Sequence, residues 1–179
     1  MKRLFCLLIA LAGLTSAQER PLVLALTPPS GAANLELTVY LVSGLAEVQA
    51  GVKDEVPQDL TATLQQLRGV FAYKSYKLME AVTLRGRNQG GSEVAGELPD
   101  YSHYDFRYVR ARISPETPHV VHLDSLRLEI TRRHADRNDN IALVATDLDV
   151  KDGQKTVVGK SAVNGKDALF LVIVPKVIE

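Results

Sequence analysis

The sequence predicts an α+β domain, mostly antiparallel β-sheet, with one main helix at about residues 57–68. Three observations predict it. Apolar and polar residues alternate in run after run from Asn34 to the C-terminus, which is the period of half-buried strands. One stretch, VPQDLTATLQQLRG, abandons that period for a helical one. The resulting order is a strand, a helix and then only strands, which suits an α+β arrangement rather than alternating βα units.

In NLELTVYLVS (34–43), Leu35, Leu37, Val39 and Leu41 fall on one face and Glu36, Thr38 and Tyr40 on the other, a half-buried strand. Leu60, Leu64, Leu67 and Phe71 then recur at helical spacing. Pro57 fits a first helical turn, Asp59 complements the positive helix end, and Arg68 and Gly69 suit the other end. Tyr73 to Arg85 and Ser92 to Leu98 read as strands around RGRNQGG, whose Asn88, Gly90 and Gly91 predict a hairpin loop. Tyr104 to Ile113 alternates again. Val120 to Thr131 follows, with Leu126, Leu128 and Ile130 on one face. ADRNDN predicts a turn and Ile141 to Val150 the next strand. Lys155 to Lys160 and Ala168 to Ile178 predict a closing pair, and ALFLVIVPKVI, apolar on both faces, predicts a strand in the middle of a sheet. The reading is one domain over 34–179, with a βαβ subregion at 34–100 and a β-rich one at 101–179.

The N-terminus predicts export. Lys2 and Arg3, an apolar run from Leu4 to Leu14 and the small residues Thr15, Ser16 and Ala17 form the three-part pattern of a secretory signal peptide over 1–17. Residues 18–33, with Pro21, Pro28, Pro29 and Gly31, read as an extended segment. The sole cysteine, Cys6, lies within the apolar run, so cleavage after Ala17 leaves neither a disulfide nor a thiolate site. Loss of Lys2 and Arg3 from 21 basic residues leaves 19 against 21 acidic ones, a formal charge of −2. That balance argues against nucleic acid as a partner, because such affinity comes mainly from neutralising phosphates. No later apolar stretch reaches the ~20 residues of a membrane-spanning helix.

Gly159-Lys160-Ser161 ends like a phosphate-binding loop, but Gly153 precedes Gly159 by five intervening residues where that loop needs four. TVV within the spacer favours a strand, and a strand rather than a helix follows. His119 and His122 point to opposite faces of a strand, while His103 and His134 stand in turn-rich segments, so no metal is expected. Asp136, Asn138, Asp139 and Asn140 lack the glycine and the terminal glutamate of a calcium loop. Asp147 and Asp149 share a strand face and are the one carboxylate pair with acid–base spacing. The serines show no nucleophile-elbow pattern. No catalytic residue and no cofactor is therefore expected. Tyr104, Phe106 and Tyr108 alternate beside Arg110 and Arg112, a candidate interaction surface of stacking rings and cations; the alternative is aromatics packed on the sheet with arginines reaching outward.

LDVKDGQKTVVGKS followed by ALFLVIVPKVI resembles the closing part of the conserved domain of secretins, the ring-forming outer-membrane gates of bacterial secretion and pilus systems. The matching features are the acidic-glycine turn (Asp152, Gly153, Gln154), a valine-rich strand ending at Gly159, and an apolar strand closing in Pro175-Lys176. Leu35 to Leu84 is more loosely similar to the βαβ modules preceding that domain. Only Lys160 to Asp167 stands where secretins carry their gate and membrane segments, so no pore is expected. The resemblance implies an exported bacterial envelope protein, periplasmic or extracellular and peripheral to the outer membrane. It would act as a non-enzymatic protein-interaction module near a secretin-like assembly, with Asp152, Gly153 and Gly159 as a structural turn. Its partners would be envelope proteins or further copies, joined by strand addition at an edge such as Leu35–Leu41. The alternative is a small periplasmic ligand- or polymer-binding protein or hydrolase using residues 101–124 with Asp147 and Asp149.

Overall fold

The computed structural model describes residues 33–47, 56–100, 102–133, 138–163 and 165–178. The leader, nearly all of the extended segment, His134, Asp136 and Asn164 lie outside these residues. The described chain forms two sheets and a helical segment. β1 (Asn34–Leu45), β2 (Ser75–Arg87), β8 (Thr156–Val163) and β9 (Asp167–Ile178) make the first sheet, in the order β2-β1-β9-β8. β3 (Ser92–Glu97), β4 (His103–Tyr108), β5 (Arg110–Ile113), β6 (Val120–Arg133) and β7 (Asn138–Lys151) make the second. There β4 and β5 share one side of β6, β7 takes its other side, and β3 extends β4. Every ladder is antiparallel.

The alternation in β1 sends Leu35, Leu37, Val39 and Leu41 between the sheets, where Leu84, Leu169, Leu171 and Ile173 meet Phe106, Leu123, Leu128 and Ile130. The opposite face of the first sheet forms a second core, in which Val42, Tyr76, Phe170 and Val172 pack under Leu60, Leu64 and Leu67. A 3₁₀ turn (Gln58–Leu60) leads into α1 (Thr61–Val70), close to the predicted helix. Burying each of the three leucines, Leu60 in the turn and Leu64 and Leu67 in the helix, contributes about 1.5–3 kcal/mol, far more than so short a helix gains from propensity. Tyr40 Oη donates to Asp59 at 2.8 Å and pins the helical segment to β1. Burial, and then that carboxylate, push the phenol up to about 12.

β9 is apolar on both faces because both are covered, by the second sheet on one side and by α1 on the other. It lies between β1 and β8, as predicted for the middle of a sheet. β1 is also central, flanked by β2 and β9, so Leu35–Leu41 offers no edge for strand addition. Its polar residues are paired across strands instead: Arg85 binds Glu36 at 2.9 Å, and the hydroxyls of Thr38 and Thr83 lie 3.3 Å apart. The β1–β9 and β3–β4 ladders join the 34–100 part of the chain to the 101–179 part.

The RGRNQGG stretch is not a hairpin loop. β2 and β3 belong to different sheets, and residues 88–91 form the corner between them. The corner runs along β5: Gln89 N–H donates to Ala111 O (2.7 Å), Ala111 N–H to Gly90 O (2.8 Å) and Ile113 N–H to Asn88 Oδ1 (3.0 Å). The predicted strand Tyr104–Ile113 is correspondingly broken at Val109, whose N–H turns to Asp124 O at 3.0 Å.

DGQKTVVGKS, the would-be phosphate loop, is a turn and a strand. Gly153 has φ +71°, a conformation that L side chains resist. Its N–H donates to Pro175 O (2.8 Å), Asp152 N–H to His119 O (2.9 Å), and Val177 N–H to Asp152 Oδ1 (2.9 Å). The turn thus ties the start of β6 to the end of β9, across the two sheets. β8 continues past Gly159 to Val163, and Gly159 marks a register shift against β9. A Cβ there would lie 2.9 Å from Val144 Cγ1 of β7, so the glycine allows the sheets to meet along that side. Lys160 Nζ lies 5.1 Å from the Phe71 ring and 5.3 Å from the Tyr73 ring. Gly153→Val is expected to cost about 1–3 kcal/mol in chemical denaturation, Gly153→Asn much less, because strain and not contact is the cause. Lys160→Ala should cost about 0.5–1 kcal/mol through the lost cation–π contacts.

Candidate functional site

The outer face of the second sheet carries most of the predicted site residues, though not in the predicted arrangement. Tyr104, Phe106 and Tyr108 are 4%, 0% and 2% exposed and face the core between the sheets, so the stacking surface is corrected to a packed one. Alternation leaves Arg107, and beyond the break Arg110 and Arg112, on the outside. The arginines are surface residues without the rings.

The face is bent by two bulges lying side by side. In β6 the pairing with β7 slips between Leu123 and Leu126, and Ser125 adopts φ +52°. Its N–H donates to Asp147 Oδ1 at 2.6 Å, so this aspartate stabilises the bulge. The break at Val109 adjoins it in the neighbouring strand. Extra residues of this kind bend a strand and re-aim its side chains. Here they open a depression of about 790 Å³, lined by Glu93, Arg107, Arg127 and Asp147 among others. Arg127 is held by Glu129 at 2.8 Å. Arg107 stands directly opposite Arg127 in the ladder, a like-charge pairing that does not help the sheet.

Asp149 does not join Asp147. It reaches His122 Nδ1, whose ring presents Nε2 to Asp124 Oδ1 at 2.7 Å, and Arg112 binds that same oxygen at 2.9 Å. A chain of alternating charges, Asp149–His122–Asp124–Arg112, therefore crosses β7, β6 and β5. Sequence reasoning missed this network, because Asp149 is 27 residues from His122 and only the β6–β7 register brings them together. With a carboxylate at each nitrogen the imidazole is best satisfied as a cation, and its pKa is raised above 6.5, first by the hydrogen bond to Asp149. A raised histidine pKa means stability that is complete below 6.5 and lost as the pH climbs through the folded-state value. An NMR titration should place the His122 midpoint above 6.5. Asp149→Asn should lower it more than Asp124→Asn, and a midpoint at or below the ordinary value would refute the bridge.

His119 is elsewhere; its Nδ1 donates to Ser114 O at 2.8 Å. His103 stands at the start of β4. Among the described residues, no group of three or more His, Cys, Asp or Glu side chains could hold a metal ion, and no helix is long and apolar enough to cross a membrane.

On one side of the sandwich two strand edges are left open. Among the described residues β2 pairs only with β1, and β3 only with β4. Both bound the side of the sandwich linked by the 88–91 corner, where Met79, Val82 and Val94 are half-buried at the rim of the core. On the opposite side β7 lies along β8 without a ladder between them, and Leu143 N–H reaches Ser161 Oγ at 3.4 Å.

Comparison with known proteins gives a weak likeness to solved structures. No family model matches the chain, and no curated protein does. Among solved structures the chain is similar to the secretin GspD of the type II secretion system of E. coli K12, with a TM-score of 0.47 and 10% identity over 83% of this chain and 51% of that one. The chain thus spans about half the length of that secretin chain.

Proposed function

We propose that this protein is an exported bacterial envelope protein that works as a non-enzymatic interaction module beside a secretin-like assembly, joining its partner by strand addition. The observation that carries the reading is the pair of open edges, β2 and β3, on the side of the sandwich away from β7 and β8. An unpaired edge presents a row of backbone donors and acceptors that an added strand satisfies. The envelope setting rests on the three-part leader and on the secretin-like stretch from Leu148 to Ile178. A photo-crosslinking side chain at Thr83 or Ala95, both exposed on these edges, is expected to capture an added strand in the living cell, from a protein of such an assembly or from a further copy of the chain. Capture from Arg110 instead, with none from the two edges, would contradict the reading.

The depression at the paired bulges favours a second reading, a small periplasmic ligand- or polymer-binding protein. Arg107 would supply the recognition there. Binding of cell-wall polymer that Arg107→Ala abolishes, and that an Arg110/Arg112 double alanine variant leaves intact, would establish it.

A further inference from the structure

The two open edges carry opposite charge. On β2, Arg85 and Arg87 are exposed on the outer side, with Ala81 and Thr83 between them and the centre of the strand. On β3, Glu93 and Glu97 are exposed on the outer side, with Ala95 between them and no cation in the strand. The inner sides match as well. Met79 and Val82 of β2 and Val94 of β3 are half-buried at the rim of the same core. Two further charges lie lower on β2: Lys77 is exposed, and Glu80 is half-buried towards the Tyr104 side. Arg85 already has a partner within the sheet, Glu36, whereas Arg87 and Glu93 make no ion pair with the described residues.

From this complementarity we infer that the strand added at these edges comes from a second copy of the chain, β2 of each copy pairing with β3 of the other. This rests on the interaction-module reading and names its first partner. A turn closed by Gly90 N–H to Arg87 O at 2.9 Å joins the two edges and sends β3 back from the corner. A two-fold axis along the strands therefore brings β2 of one copy antiparallel to β3 of its mate, and the reciprocal pair forms by the same rotation. The contact is isologous and closes on itself, so it yields a dimer rather than a filament. Outward, Arg85 and Arg87 meet Glu93 and Glu97. Inward, the half-buried Met79, Val82 and Val94 of both copies become one covered seam. The β2 and β3 edges of both copies are paired at once.

A charge-swap cycle tests it on the purified protein, read by sedimentation equilibrium. The native protein should dimerise. Arg87→Glu alone and Glu93→Arg alone should each weaken the dimer at least about tenfold, because like charges then face each other across the new ladder. A chain carrying both changes, Arg87→Glu with Glu93→Arg, should dimerise again. Both positions are exposed, so an unchanged far-ultraviolet circular dichroism spectrum of the variants keeps misfolding from being mistaken for lost pairing. A native protein that stays monomeric, or a dimer that neither reversal weakens, overturns the inference. A monomer whose β2 edge still crosslinks to a secretin-like assembly overturns self-pairing alone and leaves the proposed function standing. A dimer that obeys the charge swap, with only a further copy captured from Thr83 and Ala95, supports the pairing and counts against a second envelope protein at these edges.

Discussion

Phe106→Ala should lower stability by about 3–5 kcal/mol, visible as a large fall in the urea midpoint. The ring is fully buried between the sheets, opposite Val94 on β3 and Leu128 on β6, so its removal leaves a cavity bounded by strands that cannot close on it. Set against a total of about 5–15 kcal/mol for an ordinary domain, that loss threatens folding outright. Arg110→Ala, on the same stretch and exposed, should change stability by no more than about 0.5 kcal/mol. The contrast separates the two accounts of this stretch. A surface of stacked rings would make Phe106 cheap to lose for the fold and Arg110 important for binding.

Phe170→Ala should be as costly, about 3–5 kcal/mol, and should also loosen the helix. Phe170 is fully buried on the face of β9 that α1 covers. The rings of Phe71, Tyr73 and Tyr76 lie 5.2, 5.7 and 5.9 Å away, each within the range where aromatic pairs add about 0.5–1.5 kcal/mol. The ring also fits only because residue 44 is glycine, where a Cβ would lie 2.8 Å from it. Because Phe71 and Tyr73 follow directly on α1, the variant should expose the helix amides to hydrogen exchange while β4 and β6 stay protected. Equal loss of protection throughout both sheets would show that the helix layer has no separate core. Phe170→Leu, which keeps most of the volume but loses the three ring pairs, should cost less than Phe170→Ala.

Much of this architecture is legible in local patterns. Leu35 to Leu41 declares its buried face, Leu60, Leu64 and Leu67 declare the helix, and the unbroken apolar run of 168–174 declares a strand covered on both sides. Gly153 declares its turn. Other features depend on partners distant in sequence. The alternation of Tyr104, Phe106 and Tyr108 says that one face differs from the other, but not which of them meets the core. β1 reads as an edge because its second face is polar; the β9 ladder and the Glu36–Arg85 pair that explain that face are non-local. Asn88 to Gly91 carries residues that suit a hairpin and a corner equally, and only the pairing of β5 distinguishes them.

The paired bulges did leave a trace in the sequence. In 104–113 the inward residues are Tyr104, Phe106 and Tyr108, then Ala111: the parity changes at Val109. In 121–130 they are Val121 and Leu123, then Leu126, Leu128 and Ile130: the parity changes again at Asp124 and Ser125. A strand of period two changes parity only by inserting a residue, so both bulges could be placed from the pattern alone. The His122 bridge could not, since it depends on the register between β6 and β7.

The open edges of β2 and β3 are the centre of this account, and amide hydrogen exchange tests them most directly. Compared between the dilute protein and the assembled one, added protection should appear within Ser75–Arg87 and Ser92–Glu97 and nowhere else in the sheets, with β1 and β9 protected in both states. Protection gained instead across β5, β6 and β7, around His122 or the depression, would place the working surface on the outer face of the second sheet and contradict it.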